Sequence, residues 1–178
     1  MSETTAEGAS TAAGKILVFG ASGYIGRHLV PALLERGHAV RAAARRPAAM
    51  AAEGWPGVEL VHADALAPET LPTALEGVSV AYFLMHSMAE GGDFPEKERR
   101  AAKNFATAAE RAGVARIVYL GGLAPAEPGS RHLASRAATG DMLRGGHVPV
   151  TELRAPVIVG PGSVAFEVMR DLAAYLPV

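Results

Sequence analysis

No cysteine occurs in the 178 residues, which excludes disulfides, thiolate metal sites and a cysteine nucleophile. An excess of one charge is lacking too. Lys+Arg number 17 against 18 Asp+Glu, a formal net charge of −1, so nothing electrostatic invites nucleic acid or an anionic membrane. No apolar run approaches the roughly 18 residues of a membrane span. Residues 1–14 lack the basic start and apolar centre of a signal peptide; they read as a disordered leader on a cytoplasmic protein. The 6 histidines (28, 38, 62, 86, 132 and 147) show no metal-ligand spacing, so no metal is expected. Lysine is confined to positions 15, 97 and 103, which bears on catalysis below.

What is present is a chain with a sizeable core. Hydrophobic residues make up 49% and charged residues 20%, the balance of one globular domain, assigned to 15–178. Apolar runs predict strands near 15–20, 39–44, 58–62, 79–85, 116–121 and 149–155. Helical patterns predict helices near 23–36, 70–76, 94–112, 131–145 and 163–175. Asp93-Phe-Pro95-Glu96 has the spacing of a capping box with proline in the first turn. Glu96 and Arg100 are expected to pair at i,i+4. Near-continuous Val/Ile/Leu/Ala strands alternating with helices give a doubly wound α/β fold with a parallel sheet.

Gly20-Ala-Ser22-Gly23-Tyr24-Ile25-Gly26 follows the strand Ile16–Phe19 and opens a helix with Leu29, Val30, Leu33 and Leu34 on one face. Strand, glycine turn and helix in that order make a dinucleotide site. One glycine allows the turn, one lets the backbone approach a pyrophosphate, and one lets helix and strand pack closely, while the helix N-terminus offers unpaired N–H groups. No Gly-Lys-Ser/Thr follows, which excludes a Walker A loop.

An NAD site usually carries Asp or Glu about twenty residues on, for the ribose 2′-OH. No acid occurs from Arg36 through Ala52. Arg45, with Arg46 second, could instead hold a 2′-phosphate through charge-assisted bonds. The same pair could also be solvated charges at a strand end. NADP(H) is favoured over NAD(H), which stays possible.

The glycine loop, Asp64 after the third strand, Tyr82–Ser87 at the fourth, Arg116–Gly122 at the fifth and Leu153–Gly160 at the sixth together resemble the short-chain dehydrogenase/reductase superfamily. Within it they are similar to the atypical branch of NmrA-like, NAD(P)H-binding, epimerase/dehydratase-like proteins. The resemblance implies that Asp64 and Ala65 border the adenine, Asp64 having a turn-capping role as its alternative. It implies that Leu84, Met85 and His86 pass the ribose and pyrophosphate. Gly121 and Gly122 would let the fifth strand near the nicotinamide ribose, and Pro156 and Val157 would offer backbone groups to the carboxamide.

Typical members use Tyr-x-x-x-Lys with a serine at the end of the fifth strand. Here the aligned residues are His132 and Arg136, and Gly122 stands where the serine is expected. Histidine can transfer a proton near neutral pH; Arg136 could hold ribose hydroxyls. Ser87 is a second polar candidate. The alternative is that both helix residues lie on the surface in a branch that has lost the reaction. Two functions therefore stay open: an oxidoreductase acting on a small organic molecule, and a non-catalytic dinucleotide sensor or scaffold that binds a protein partner.

Longer members of the superfamily continue into a C-terminal substrate lobe, which this sequence lacks. Val164, Phe166, Val168, Met169, Leu172 and Leu176 are therefore expected to leave an apolar face on the 163–176 helix, for a homodimer or a partner chain. The sequence is then either a fragment or a minimal domain completed by oligomerisation.

Overall fold

The computed structural model describes residues 14–85, 94–123 and 131–175. Six strands, β1 (Lys15–Phe19), β2 (Val40–Ala44), β3 (Glu59–His62), β4 (Val78–Phe83), β5 (Arg116–Gly122) and β6 (Val150–Ala155), form one sheet in the order β3-β2-β1-β4-β5-β6. Every neighbouring pair is parallel. Helices α1 (Tyr24–Glu35), α2 (Ala48–Ala51), α3 (Leu71–Leu75), α4 (Phe94–Arg111), α5 (Arg131–Arg144) and α6 (Val164–Tyr175) connect and follow the strands. The doubly wound Rossmann sheet expected from the strand–helix alternation is present.

Alternation along β1 shows why the sheet is covered on both faces. Leu17 and Phe19 enter a core with Leu71, Phe83, Phe105 and Ile117 under α3 and α4. Ile16 and Val18 enter a second core with Val30, Leu33, Val40 and Met50 under α1 and α2. A strand whose odd and even residues are both apolar has no solvent face, which is the signature of a central parallel strand. Phe19, Phe83 and Phe105 meet with ring centroids 4.7–5.6 Å apart, a cluster that ties the ends of β1 and β4 to α4.

Three local expectations change. Glu96 takes Arg99, not Arg100: the Arg99 guanidinium donates from Nε and Nη2 at 3.0 and 2.8 Å. This forked bond holds the Glu96 carboxyl below its usual range, and Arg100 adds only its charge. The four-residue α2 is too short for a periodic pattern to show in the sequence, although Met50 within it is buried. Residues 68–70 form a tight 3-10 turn before α3. Asp93 of the capping box and residues 1–13 of the leader lie outside the described residues, as does Leu176. Gly113 does end α4, with φ +71° and its N–H donating to the Glu110 carbonyl at 3.0 Å.

Candidate functional site: a two-part cleft over the glycine loop

The strand order reverses between β1 and β4, the point at which an open α/β sheet leaves a crevice beyond its strand ends. Each glycine of the loop has a distinct task there. Gly20 turns the chain with φ +90°, and a Cβ on it would press within 3.2 Å of the Leu84 backbone. Gly23 is the N-cap of α1, with a Cβ position 3.3 Å from the Gly20 carbonyl oxygen. Gly26 packs the helix on the strand end so closely that a Cβ would lie 2.5 Å from Ala21 Cα.

Two cavities share Gly20, Gly23 and Leu84. The smaller, about 190 Å³, extends toward β2 and β3, where Ser22, Arg45, Asp64 and Met85 line it. Arg45 thus shares a cavity lining with the glycine loop, while Arg46, exposed like Arg45, lies outside that lining. His62 Nδ1 donates to the Arg45 carbonyl at 3.0 Å, linking the ends of β2 and β3. Asp64 does cap its turn: Oδ1 accepts the Leu66 N–H at 2.8 Å while the residue still lines the cavity. Ala65 is fully buried behind it.

The larger cavity of the pair, about 350 Å³, extends toward β5, β6 and the start of α6. Tyr24, Ile25 and Gly26 form its floor on the α1 side; Gly121, Gly122 and Arg136 stand across from them, with Pro156 and Val157 at the β6 end. Tyr24 reaches the loop after β6, where a Cβ on Gly160 would come within 2.5 Å of its hydroxyl oxygen. Leu120, Leu133 and Ile158 also line this cavity. Leu120 and Ile158 lie within the segments that carry the resemblance without being singled out as site residues, and Leu133 is revealed only by its meeting them in space. Ser163 lines it too and caps α6, its Oγ accepting the Phe166 N–H at 3.2 Å.

The room over the two β5 glycines is taken by side chains. A Cβ at Gly121 would lie 2.5 Å from Glu152 Oε1, and one at Gly122 would lie 3.1 Å from Leu133 Cδ2. Glu152 itself is clasped by Arg144 and Arg154. Burial works to raise its pKa, but the bonds from Arg154 and Arg144 outweigh that and hold it below the ordinary carboxylate range.

Arg136 donates from Nη2 to the Leu120 carbonyl, and its own carbonyl accepts the Tyr119 hydroxyl at 3.0 Å. Burial pushes the Tyr119 phenol up to about 12, with the Arg136 charge pulling the other way. This phenol is a neutral buried donor, not a proton-transfer group. His132 belongs to α5, four residues before Arg136, with its side chain outside the described residues; His86 and Ser87 also lie outside them.

A strand-order reversal, a glycine turn of this geometry and a cleft on both sides of it are what a dinucleotide requires. Residues 20–154 match the model of the NAD(P)H-binding family. The chain belongs to that family. Its relatives include ceramide reductase of Caulobacter vibrioides, 33% identical over 175 residues, 96% of this chain and 54% of the relative. A 3-beta-hydroxysteroid dehydrogenase of Mycolicibacterium neoaurum is 34% identical over 116 residues, 60% of this chain and 31% of the relative. Among solved structures, the triphenylmethane reductase of Citrobacter sp. superposes with a TM-score of 0.75 at 28% identity, covering 90% of this chain and 53% of that one. The same reductase has been solved in complex with NADP(H). The family member thus spans about half the length of the reductases it matches, and these neighbours place it among the atypical short-chain dehydrogenases/reductases. Among the described residues no helix is long and apolar enough to cross a membrane.

Proposed function

We propose that this domain binds NADP(H) across the two-part cleft and serves a reductase acting on a small organic molecule. The observation that carries the reading is the meeting of the two cavities over Gly20 and Gly23, with Arg45 on the β2 side and Arg136 on the β5 side. The cradle fits the group: a side chain on Gly20 would close on Leu84 and one on Gly23 would crowd the turn. Ser22 and the N-terminus of α1 would hold the pyrophosphate, and Asp64 would border the adenine, whereas Ala65, expected beside it, is fully buried and outside the cavity lining. Arg45 would hold the 2′-phosphate, with Arg46 second to it. Leu84, Met85 and His86 would flank the ribose, and Pro156 and Val157 would meet the carboxamide. When bound, the nicotinamide supplies the hydride. Arg136 would orient the adjoining ribose, and His132, with Ser87 as the second candidate, would exchange a proton with the substrate oxygen. The reductase relatives and the NADP(H) complex of the Citrobacter enzyme support this reading, and the balanced composition supports a cytoplasmic setting.

Arg45→Asp tests the cofactor choice. Attraction to a 2′-phosphate becomes repulsion, so NADPH affinity should fall by at least about tenfold, roughly 1.4 kcal/mol, while NADH affinity draws level with it or exceeds it. Unchanged affinities for both dinucleotides, measured by fluorescence titration, would reject Arg45 as the phosphate ligand. A screen of carbonyl and enone compounds for oxidation of NADPH then separates a reductase from a sensor.

One observation keeps the partner-binding reading in play. No residue of α6 is buried, and Val164, Val168, Met169, Leu172 and Tyr175 are between 48% and 86% exposed. Exposed apolar faces of this kind commonly mark an interface, so α6 is proposed to meet a second copy or a partner chain.

A further inference from the structure

Glu98 is an acid that the cleft itself does not use. It lies in α4, is only 4% exposed, and accepts the Ser135 hydroxyl of α5 at 2.5 Å. α4 follows β4 and α5 follows β5 in a parallel sheet, so both helices start at the carboxyl ends of the strands, level with the cleft. Glu98 and Ser135 are both within the first two turns of their helices.

The contacts continue from there toward the cavity. Ser135 is itself buried, and its carbonyl accepts the Thr139 hydroxyl at 3.0 Å. The next residue is Arg136, whose carbonyl takes the Tyr119 hydroxyl and whose guanidinium reaches the Leu120 carbonyl. The Tyr119 hydroxyl feels the charges of both Arg136 and Glu98. α5 is thereby held on two sides, against α4 by Glu98 and against β5 by Tyr119. A carboxylate in a helix–helix seam is a poor device for stability, because an apolar pair of similar volume often does as well or better. Its directional bond does set the rotation of α5 about its axis, which apolar packing sets only loosely. That rotation decides where Arg136 enters the cavity.

We propose that Glu98 is a positioning residue that, through Ser135, seats α5 so that Arg136 meets the nicotinamide half of the dinucleotide. The proposal rests on the NADP(H) reading of the cleft. Its signature is a selective loss. Weakening the bond should cost affinity for the nicotinamide half and leave the adenosine half, on the β2 side of the cleft, as it was.

The test measures NADPH and 2′,5′-ADP binding calorimetrically in the parent, Glu98→Gln, Ser135→Ala and the double variant, with thermal melts of each. Glu98→Gln keeps the size and one acceptor oxygen; Ser135→Ala removes the donor without a buried acid being replaced, so one of them survives if the other fails to fold. Either single variant should bind NADPH about fivefold more weakly, with 2′,5′-ADP within about twofold of the parent and the double variant no worse than the singles, as coupled neighbours behave. Equal loss of both ligands, additive losses in the double variant, or a shifted melt with NADPH affinity unchanged would each overturn the assignment. A parent that binds neither ligand overturns the cofactor reading and this proposal with it. A parent that binds both, with variants that match it, overturns only the role of Glu98.

Discussion

Gly26 and Gly121 are both glycines at the cleft, and both leave a space that a Cβ would enter at 2.5 Å, yet the spaces serve different ends. At Gly26 the obstructing atom is the Ala21 backbone, so the missing side chain lets α1 lie directly on the end of β1. At Gly121 it is the tip of Glu152, so the missing side chain admits a carboxylate that Arg144 and Arg154 clasp. The α1 half of the cleft is built by backbone against backbone, the β5 half by side chains drawn in from α5 and β6. Backbone cannot retreat; the end of a glutamate can. The same residue type is therefore rigidly required in one half and replaceable in the other.

The widest gap between the halves should appear in stability. Gly26→Ala forces the α1–β1 junction apart and should cost about 3 kcal/mol, the upper range for overpacking a tight contact. Gly121→Ala displaces a flexible tip and should cost about 1 kcal/mol or less. Urea melts of the two variants decide it, and equal losses would erase the distinction between the halves. Gly23→Val is the next largest effect. Its branched side chain stands where a pyrophosphate would approach, so NADPH binding should weaken by at least about tenfold, or about 1.4 kcal/mol. A folded variant that titrates like the parent would remove the phosphate from the loop.

The β6 end also differs in how it is covered, since α1 buries Val30 and Leu33 while no residue of α6 is fully buried. Met169→Glu, or Phe166→Glu beside it, should raise the monomer fraction in sedimentation at micromolar concentration. A parent already monomeric throughout would show that the open helix is not a self-association surface. The smallest expected effect concerns acid. Glu152 has a lowered folded pKa, so the stability it contributes is present above the ordinary carboxylate value of 4.5 and is lost as pH falls through its folded pKa. Glu152→Gln should therefore flatten the fall in melting temperature on the acid side of that value and lower stability at neutral pH. An unchanged acid limb would mean that the Glu152 cluster does not contribute.

Much of the α1 half was legible in the sequence, because it is a local construction. Ile16–Phe19, the three glycines and the apolar stripe of α1 lie within twenty residues and follow from hydrophobic period and glycine conformation alone. The absence of acid after β2 pointed to Arg45, and Arg45 does line the cavity. The β5 half was less legible. Neither Glu98 nor Glu152 is singled out by the sequence, because nothing local distinguishes a charge that a distant element will enclose. The mistaken pairing of Glu96 has the same origin: i+3 and i+4 partners are equally near on a helix, and the side-chain geometry chose Arg99.

The sequence by itself determined the order of the strands and of every helix but α2, the parallel sheet with two buried faces, and the glycine turn, since each shows in the pattern of residues close together in the chain. The tertiary structure decided what fills the space around the turn. It put Arg45 in the cavity lining that includes Gly20 and Gly23 and left Arg46 out of it, gave the room over Gly121 to Glu152, and buried Glu98 against Ser135. Periodicity reports whether a side chain faces inward, whereas the partner it meets there depends on which distant element packs against it.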